Sequence, residues 1–290
     1  MYARTDPMAN HSLLIDGLHV PPILYGTAWK EDRTQPLTEL ALNQGFRGID
    51  TANQRRHYHE AGVGAAITAA VDSKLVARDD LFLQSKFTFR PGQDHRLPYD
   101  PDAPVTVQVQ QSFASTLDHL GTETLDSYLM HGPTRRAGLL PDDWEAWRAM
   151  EAIHDTGRVH LLGVSNFTLE QLQRLCQQAR VPPRFVQNRC YAAQGWDRLV
   201  REFCATNGIV YQGFSLLTAN AEVMASAELH RLSKRHGRTI AQIVFRFAIE
   251  VGIIPLTGTT NPQHMRADLD IWDFDLEPDE IERIARVSER

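Results

Sequence analysis

The chain has 290 residues, of which 42% are hydrophobic and 23% are charged, and its formal net charge at pH 7 is −6. A chain of this length and composition can bury a large core, so we expect a single domain over residues 1–290. The negative charge and the lack of a long basic cluster argue against nucleic acid as a partner. No apolar run approaches the ~20 residues that span a bilayer, and residues 1–12 lack the apolar segment of a signal peptide, so we predict a cytoplasmic protein without membrane contact.

Short apolar runs alternate with longer amphipathic segments along the chain, which is typical of strands that alternate with helices. After an N-terminal extension, residues 1–20, in which we expect a hairpin, eight runs are predicted strands. They cover residues 23–25, 46–50, 81–86, 127–131, 161–165, 185–188, 210–214 and 253–256. Eight strands with helical connections in a chain of this length favour an α/β fold of the (β/α)8 TIM barrel type over an open doubly wound sheet, and the sequence has no GxGxxG fingerprint.

Three helices have ends that can be read from the sequence. Pro104 is expected to open a helix that stops at Gly121. Asp142 or Asp143 is expected to cap a second helix that ends before Gly157. A capping box between Thr168 and Gln171 predicts the start of a third, because each side chain can bind a backbone amide of the first turn.

Polar side chains stand at the end of nearly every predicted strand. They are Asp50, Lys86, His131, Ser165 with Asn166, Gln187 with Asn188, Ser215 and Thr257. The carboxyl ends of the strands form the active-site rim of a TIM barrel, so we expect these groups at one mouth. Together with Tyr58 on the loop after Asp50, Lys86 and His131 supply groups that can protonate a carbonyl oxygen.

Motifs spread over nearly the whole chain resemble those of the aldo-keto reductase family. They are GTAWK at 26–30, GFRGIDTA at 45–52, HEAGVG at 59–64, LDSYLMH at 125–131, GVSNF at 163–167 and the pair Ile254-Pro255. The resemblance implies an enzyme that reduces a small carbonyl compound with NAD(P)H and uses a tetrad of Asp50, Tyr58, Lys86 and His131. Tyr58 would donate the proton, with its pKa lowered by the ammonium of Lys86. Asp50 would keep Lys86 charged, and His131 would hydrogen-bond the carbonyl.

The resemblance also implies a cofactor site. Ser165, Asn166 and Gln187 would hold the nicotinamide carboxamide, and Phe214 occupies the position of a ring that stacks on the nicotinamide. Ser215 and Leu217 resemble the loop that binds the diphosphate. Further candidate cofactor residues are Gly26, Thr27, Thr257, Thr259, Thr260, His264 and Arg266. The lysine that NADPH-preferring relatives usually carry after the last strand is absent, so NADPH is expected from the family tendency, with NADH as the alternative.

Several features depart from the family pattern. Seven residues separate Asp50 from Tyr58 where four are usual, so His57 is an alternative proton donor. Residues 90–101 lengthen the segment before His131 and predict an ordered loop over the barrel mouth. The usual tryptophan after His131 is replaced by glycine, and the chain ends at residue 290 without a long carboxyl-terminal loop. Both changes predict an open entrance, for which the candidate apolar walls are Trp29, Phe87 and Trp196.

Two functions of other classes stay open. The run of residues 57–60, His-Tyr-His-Glu, suggests a metal-dependent hydrolase on the same barrel, although ligands from a single loop are unusual there. A non-catalytic nicotinamide-binding or interaction subunit is the other, because a fold alone does not guarantee turnover. Cys176, Cys190 and Cys204 lack CxxC spacing, so neither a disulfide framework nor a metal site is predicted from them. We expect a monomer or a small homo-oligomer.

Overall fold

The computed structural model describes residues 11–288, so residues 1–10 of the predicted N-terminal extension lie outside the described part. Strands β1 (Leu13–Ile15) and β2 (Leu18–Val20) form an antiparallel hairpin whose turn, Asp16-Gly17, has positive φ at both residues. Ile15 and Leu18 pack against an apolar cluster that includes Phe82 and Phe185 at the starts of two barrel strands. The hairpin therefore covers the amino-terminal end of the barrel.

Eight parallel strands close into a barrel, which confirms the predicted TIM barrel and its eight strands. They are β3 (Leu24–Gly26), β4 (Gly48–Asp50), β5 (Phe82–Phe87), β6 (Leu125–Met130), β7 (Val159–Ser165), β8 (Phe185–Arg189), β9 (Val210–Phe214) and β10 (Ile253–Thr257). Each strand pairs with the next along the chain, and β10 closes the barrel on β3 through the pair Leu256 and Leu24. The register sets Asp50 beside Gln84 and Lys86 beside Leu129, so the carboxyl ends of the strands lie at one rim.

Helices cover the outside of the barrel. They are α1 (Thr34–Gln44), α2 (Glu60–Asp72), α3 (Val105–Leu120), α4 (Pro141–Asp155), α5 (Leu169–Gln178), α6 (Arg198–Thr206), α7 (Ala221–Met224), α8 (Ala227–His236), α9 (Ile240–Glu250), α10 (Pro262–Leu269) and α11 (Pro278–Ala285). Short 3-10 segments lie at Glu31–Arg33, Arg78–Asp80, Arg90–Gly92 and Ala192–Asp197. Within residues 11–288, none of the helices has the length and apolar character needed to cross a membrane.

The predicted ends of α3, the predicted start of α5 and the predicted end of α4 before Gly157 are confirmed, but the predicted N-cap of α4 is not. Helix α3 begins after Pro104 and ends at Gly121. The capping box of α5 is formed, since the amide of Thr168 donates to Gln171 and the amide of Gln171 donates to Thr168. The N-cap of α4 is Leu140, so the expectation of an aspartate cap was wrong. Asp143 is instead the third helical residue and accepts from the Leu140 amide at 2.7 Å, while a proline occupies the first helical position.

Helix α2 is held close to its neighbours by glycine, and it begins two residues after Tyr58. A Cβ on Gly64 would lie 1.9 Å from the carbonyl oxygen of His119 on α3. Glu60 at the start of α2 is buried and accepts hydrogen bonds from Ser85 and Thr116. Glu60 and the glycines of the HEAGVG motif thus fix the start of α2, and with it the end of the segment that carries Tyr58.

We expect Gly64→Ala to destabilise the protein although alanine favours helix. The substitution gains about 1 kcal/mol of helix propensity. The new methyl group meets backbone atoms that cannot rotate away, so α2 and α3 must separate, and we expect a net loss of about 1–3 kcal/mol in the free energy of unfolding. Urea denaturation would measure it. Ala65→Leu, at an exposed position of α2, is the control and should change stability by less than about 0.5 kcal/mol. A Gly64→Ala protein as stable as the parent would contradict the packing described.

Candidate active site

A cavity of about 910 Å³ opens at the carboxyl ends of the barrel strands, within the size range of small-ligand and cofactor sites. Asp50, Tyr58 and His131 line it. Lys86 is fully buried beneath them and does not line the cavity. The structure therefore brings the four residues predicted from the strand ends and the resemblance to one place.

Lys86 and Asp50 form a buried ion pair. The Lys86 Nζ atom donates to both carboxylate oxygens of Asp50, at 2.7 Å each, and to the carbonyl oxygen of Thr51 at 2.8 Å. All three donors of the ammonium are therefore satisfied within the protein. The same Nζ atom lies 5.3 Å from the centroid of the Tyr58 ring, and the Tyr58 ring meets the His131 ring edge to face at 5.8 Å.

A layer of buried glutamines supports Asp50 from inside the barrel. Gln84 and Gln187 donate to Asp50 Oδ1 at 2.7 and 2.9 Å. Both also donate to the side-chain oxygen of Gln212, and Gln212 donates back to Gln84 at 3.0 Å. Gln84 and Gln212 were not predicted as site residues, although a glutamine inside a predicted buried strand was the available signal. Because every link is a hydrogen bond in a low-dielectric interior, the layer fixes the carboxylate in one orientation.

The pKa of the Tyr58 phenol is raised, contrary to the expected lowering by Lys86. Burial is the main cause and the negative charge of Asp50 is the second. The physical reason is that Lys86 is neutralised by Asp50 at contact distance, so the pair offers a phenolate little net positive charge. Burial also lowers the pKa of Lys86, and the carboxylate of Asp50 opposes that shift. Tyr58 is thus held as a neutral phenol.

His131 is a neutral imidazole in this environment. Burial, followed by the positive charge of Lys86, lowers the pKa of His131 to about 3. Its backbone is fixed on both sides, since its amide donates to the carbonyl of Phe87 at 2.8 Å and its carbonyl accepts from the Asn166 side chain at 2.8 Å. Its Nδ1 atom lies 2.7 Å from the hydroxyl of Thr88, a residue that the sequence did not single out.

The lengthened segment between Asp50 and Tyr58 folds into a turn. The carbonyl oxygen of Gln54 accepts from the amides of both His57 and Tyr58, at 3.1 and 3.0 Å. The turn points His57 towards the rim, where its ring packs against Trp29 at a tilt of 35° with 3.9 Å between centroids. Trp29 is 68% exposed, and both rings line the cavity. Burial lowers the pKa of His57, so it is neutral near pH 7.

Most of the candidate cofactor residues line the cavity. They are Gly26, Ser165, Asn166, Gln187, Phe214, Ser215, Leu217, Thr257, Thr259, Thr260 and His264. Thr27 does not, because its hydroxyl and amide both bind the carbonyl oxygen of Asp50 in the protein interior. Arg266 does not either, since α10 presents His264 and Asp268 to the cavity and leaves Arg266 exposed elsewhere. The structure therefore places Thr27 and Arg266 outside the cavity lining.

Two of the three predicted apolar walls lie outside the cavity. Phe87 is fully buried outside the cavity, where it packs against Phe89 and Tyr99 at 5.0 and 5.8 Å. Trp196 is fully buried as well and donates to the carbonyl oxygen of Ile284 at 3.1 Å. Both side chains lie in the packed shell around the barrel. Trp29 does line the cavity, and Phe89 takes the place predicted for Phe87.

Three charged residues that line the cavity were not predicted, and they are Lys30, Arg189 and Asp268. Lys30 is 4% exposed, and its ammonium donates to the carbonyl oxygen of Gly258 at 2.9 Å without a carboxylate partner in residues 11–288. Burial lowers the pKa of Lys30 to about 8. Asp268 is 3% exposed and accepts from the hydroxyl of Thr257 at 2.7 Å. Lys30 belongs to the GTAWK motif, which was the available signal, whereas nothing in the sequence marks Asp268.

The loop that suggested a metal site does not assemble one. Glu60 turns to Ser85, Thr116 and His119, which do not line the cavity, while His57 packs against Trp29 at the rim. Over residues 11–288, no group of three or more His, Cys, Asp or Glu side chains is arranged to hold a metal ion. The hydrolase alternative therefore has no support from the geometry of this loop.

The chain matches known proteins over nearly its whole length. The model of the Aldo/keto reductase family matches residues 23–289. Deoxymugineic acid synthase 1 of Zea mays is 33% identical over 93% of this chain and 88% of that protein. The putative methylglyoxal reductase DkgA of Salmonella typhi is 30% identical over 97% of this chain and 95% of that protein.

Solved structures agree with these matches. The crystal structure of an aldo/keto reductase from Brucella melitensis superposes with a TM-score of 0.80 at 28% identity, covering 95% of this chain and 98% of that one. A Bombyx mori aldo-keto reductase crystallised in complex with NADP gives a TM-score of 0.78 at 25% identity, covering 94% and 91%. The likeness therefore extends through the whole barrel.

Asp268 makes stability depend on pH in a predictable direction. Burial raises its pKa to about 7, whereas an aspartate in an unfolded chain titrates near ~4. Between these values the unfolded state is ionised and the folded state is not, so Asp268 increasingly destabilises the fold as pH rises from about 4 to about 7, and the effect is constant above that. We expect Asp268→Asn to stabilise the ligand-free protein by up to ~4 kcal/mol at pH 8 and by only about 1 kcal/mol at pH 4.5.

Thermal unfolding of the ligand-free variant at pH 4.5, 6 and 8 would measure this difference. Asp118→Asn, which alters an exposed carboxyl group on α3, is the control and should show no such trend. A gain that is equal at all three pH values would show that Asp268 has an ordinary pKa.

Proposed function

The chain belongs to the aldo-keto reductase family, and on this premise we propose that it reduces an aldehyde or ketone to the alcohol with NADPH, reversibly, with Tyr58 as proton donor. The observation that carries the proposal is the arrangement of Tyr58 and His131 at the floor of the cavity above the buried pair of Lys86 and Asp50. A neutral phenol and a neutral imidazole side by side are two hydrogen-bond donors for one carbonyl oxygen.

The residues around the cavity fit a nicotinamide dinucleotide. Gln187 uses its amide hydrogens on Asp50 and Gln212, which leaves its oxygen, without a partner in residues 11–288, to accept from a carboxamide. Asn166 and Ser215 line the cavity with φ of 59° and 58°, a conformation that non-glycine residues rarely adopt and that is concentrated at functional sites. The ammonium of Lys30 would bind a phosphate. When bound, the nicotinamide supplies the hydride that adds to the carbonyl carbon.

The protein's own part in the reaction is to bind the oxygen and to protonate it. His131 donates a ring N–H to the carbonyl oxygen and so orients it. Tyr58 transfers its proton to that oxygen as negative charge develops there. The raised pKa of Tyr58 is compatible with this role, because an alkoxide is a stronger base than a phenolate and the donor must be protonated at the start. Lys86 then lies close to the phenolate that is left behind.

Tyr58 is favoured over His57 by position. Tyr58 contacts Lys86 and His131, whereas His57 packs against Trp29 at the rim. The pKa of His57 is lowered, so near pH 7 its ring lacks the extra proton that a histidine acid would deliver.

The relatives suggest which substrates to test. Methylglyoxal, the substrate in the name of the Salmonella relative, should head a panel of small carbonyl compounds.

We expect Tyr58→Phe to abolish most turnover while His57→Ala does not. Loss of the phenolic proton should lower kcat by about 10²- to 10⁴-fold. His57→Ala removes a rim contact and should stay within about 3-fold of the parent, since one exposed contact contributes under 1 kcal/mol. NADPH oxidation across a panel of aldehydes, ketones and quinones would measure both variants.

Cofactor binding serves as the control for both variants. Quenching of protein fluorescence by NADPH should be preserved in Tyr58→Phe. Full activity of Tyr58→Phe beside an inactive His57→Ala would reverse the donor assignment. Cofactor binding by the parent without oxidation by any carbonyl compound would favour the non-catalytic alternative.

We expect Lys30→Met to weaken cofactor binding. A charge-assisted hydrogen bond to phosphate is worth about 1.5–3 kcal/mol, so the Kd for NADPH should rise about 10- to 100-fold. Lys234→Met, at an exposed position of α8, is the matched control and should leave the Kd unchanged. Titration with NADH in parallel identifies which phosphate Lys30 binds. An equal rise in the Kd for both cofactors indicates the diphosphate, which they share. An unchanged Kd for both cofactors would remove Lys30 from the site.

A further inference from the structure

Thr88 lies at the carboxyl end of β5 with its side chain against His131. It is 6% exposed, and its hydroxyl oxygen lies 2.7 Å from Nδ1 of the imidazole. Within residues 11–288, the Thr88 hydroxyl has no hydrogen-bond partner other than this ring nitrogen. The contact involves Nδ1, which is not the nitrogen needed for the substrate. A hydrogen bond at Nδ1 can therefore decide whether the other ring nitrogen carries the proton.

The proton on the shared hydrogen bond can be assigned by counting donors. A neutral imidazole carries one N–H, and a hydroxyl carries one O–H. If Nδ1 held the ring proton and donated to Thr88, the hydroxyl hydrogen would have no acceptor among the described residues, and the other ring nitrogen, Nε2, would face the cavity as an acceptor. If Thr88 donates to Nδ1, both groups are satisfied and Nε2 carries the ring proton. Leaving a mostly buried donor unpaired is unfavourable, so the second arrangement prevails.

We infer that Thr88 is a positioning residue that holds His131 in the tautomer protonated on Nε2. In this tautomer the imidazole presents an N–H to a carbonyl oxygen, whereas the other tautomer would present a lone pair and repel it. The backbone contacts of His131 to Phe87 and Asn166 fix where the ring is, but they do not decide which nitrogen is protonated. The consequence for catalysis rests on the proposed function, while the tautomer is a property of the protein alone.

The long loop before His131 holds Thr88 in place. The carbonyl oxygen of Thr88 accepts from the hydroxyl of Tyr99 at 2.8 Å and from the side chain of Gln93 at 3.3 Å. The same Gln93 side chain donates to the carbonyl oxygen of Asn53, in the segment that leads to Tyr58. Residues 90–101 thus support the threonine from behind, which gives this segment a role in the site besides forming its edge.

The test compares Thr88→Val, which keeps the shape and removes the hydroxyl group, with Thr88→Ser, which keeps the hydroxyl group. The ring nitrogens of His131 would be observed by ¹⁵N NMR of histidine-labelled, ligand-free protein at pH 7, with His131 assigned by its absence in His131→Gln. We expect the parent and Thr88→Ser to show a protonated Nε2 and an unprotonated, hydrogen-bonded Nδ1. Thr88→Val should lose the hydrogen-bond shift of Nδ1 and show a mixture of tautomers.

Kinetics provide the second readout. Thr88→Val should lower kcat/KM for a carbonyl substrate about 3- to 10-fold, the equivalent of one neutral hydrogen bond, and Thr88→Ser should restore it to within about 2-fold. A proton on Nδ1 in the parent, or a Thr88→Val spectrum identical to that of the parent, would overturn the inference. If Thr88→Val does not fold, the parent and Thr88→Ser spectra still decide, and a protonated Nε2 in a protein without turnover would sustain the inference while refuting the proposed function.

Discussion

The buried ion pair between Lys86 and Asp50 is the constraint from which the rest of the site follows. Moving two charges into a barrel interior costs several kcal/mol per ion, and the cost is recovered only when every donor and acceptor has a good partner. The glutamine layer of Gln84, Gln187 and Gln212 meets that need on the side of Asp50, and the Thr51 carbonyl completes the shell of Lys86. The upper half of the barrel is therefore polar, while the apolar cluster under the hairpin closes the lower half.

The same pair explains why the pKa of Tyr58 is not lowered, as it would be beside an isolated lysine. An isolated ammonium would lower the pKa of a phenol, but one that is neutralised by a carboxylate at 2.7 Å does so weakly, and the carboxylate itself acts in the opposite direction. Tyr58 and His131 are therefore both neutral at the cavity floor. Their chemistry depends on where their hydrogens point, which is why a contact as small as that of Thr88 with His131 is important.

The sequence was sufficient to predict the barrel, because each strand is a short apolar run with a polar residue at its end, and Asp50, Lys86 and His131 lie at such ends. It was less able to predict side-chain direction. Phe87 and Trp196 face the packed shell, and Arg266 does not line the cavity although its neighbour on α10, Ala267, does. Thr88 was missed because its partner, His131, lies 43 positions away in the sequence. The two side chains are brought together only by the pairing of β5 with β6 in the closed barrel.

The altered spacing around Tyr58 is compensated by a second insertion. The Gln54 side chain donates to the carbonyl oxygen of Gly92 at 2.7 Å, and the Gln93 side chain donates to the carbonyl oxygen of Asn53 at 2.8 Å. The loop after β4 and the loop after β5, both longer than the family pattern suggests, are therefore bound to each other by reciprocal amide hydrogen bonds. Each loop alone would have to order extra residues at an entropic cost. Bound together, they bring both Tyr58 and Thr88 against the His131 ring, so the unusual spacing is compatible with an intact tetrad.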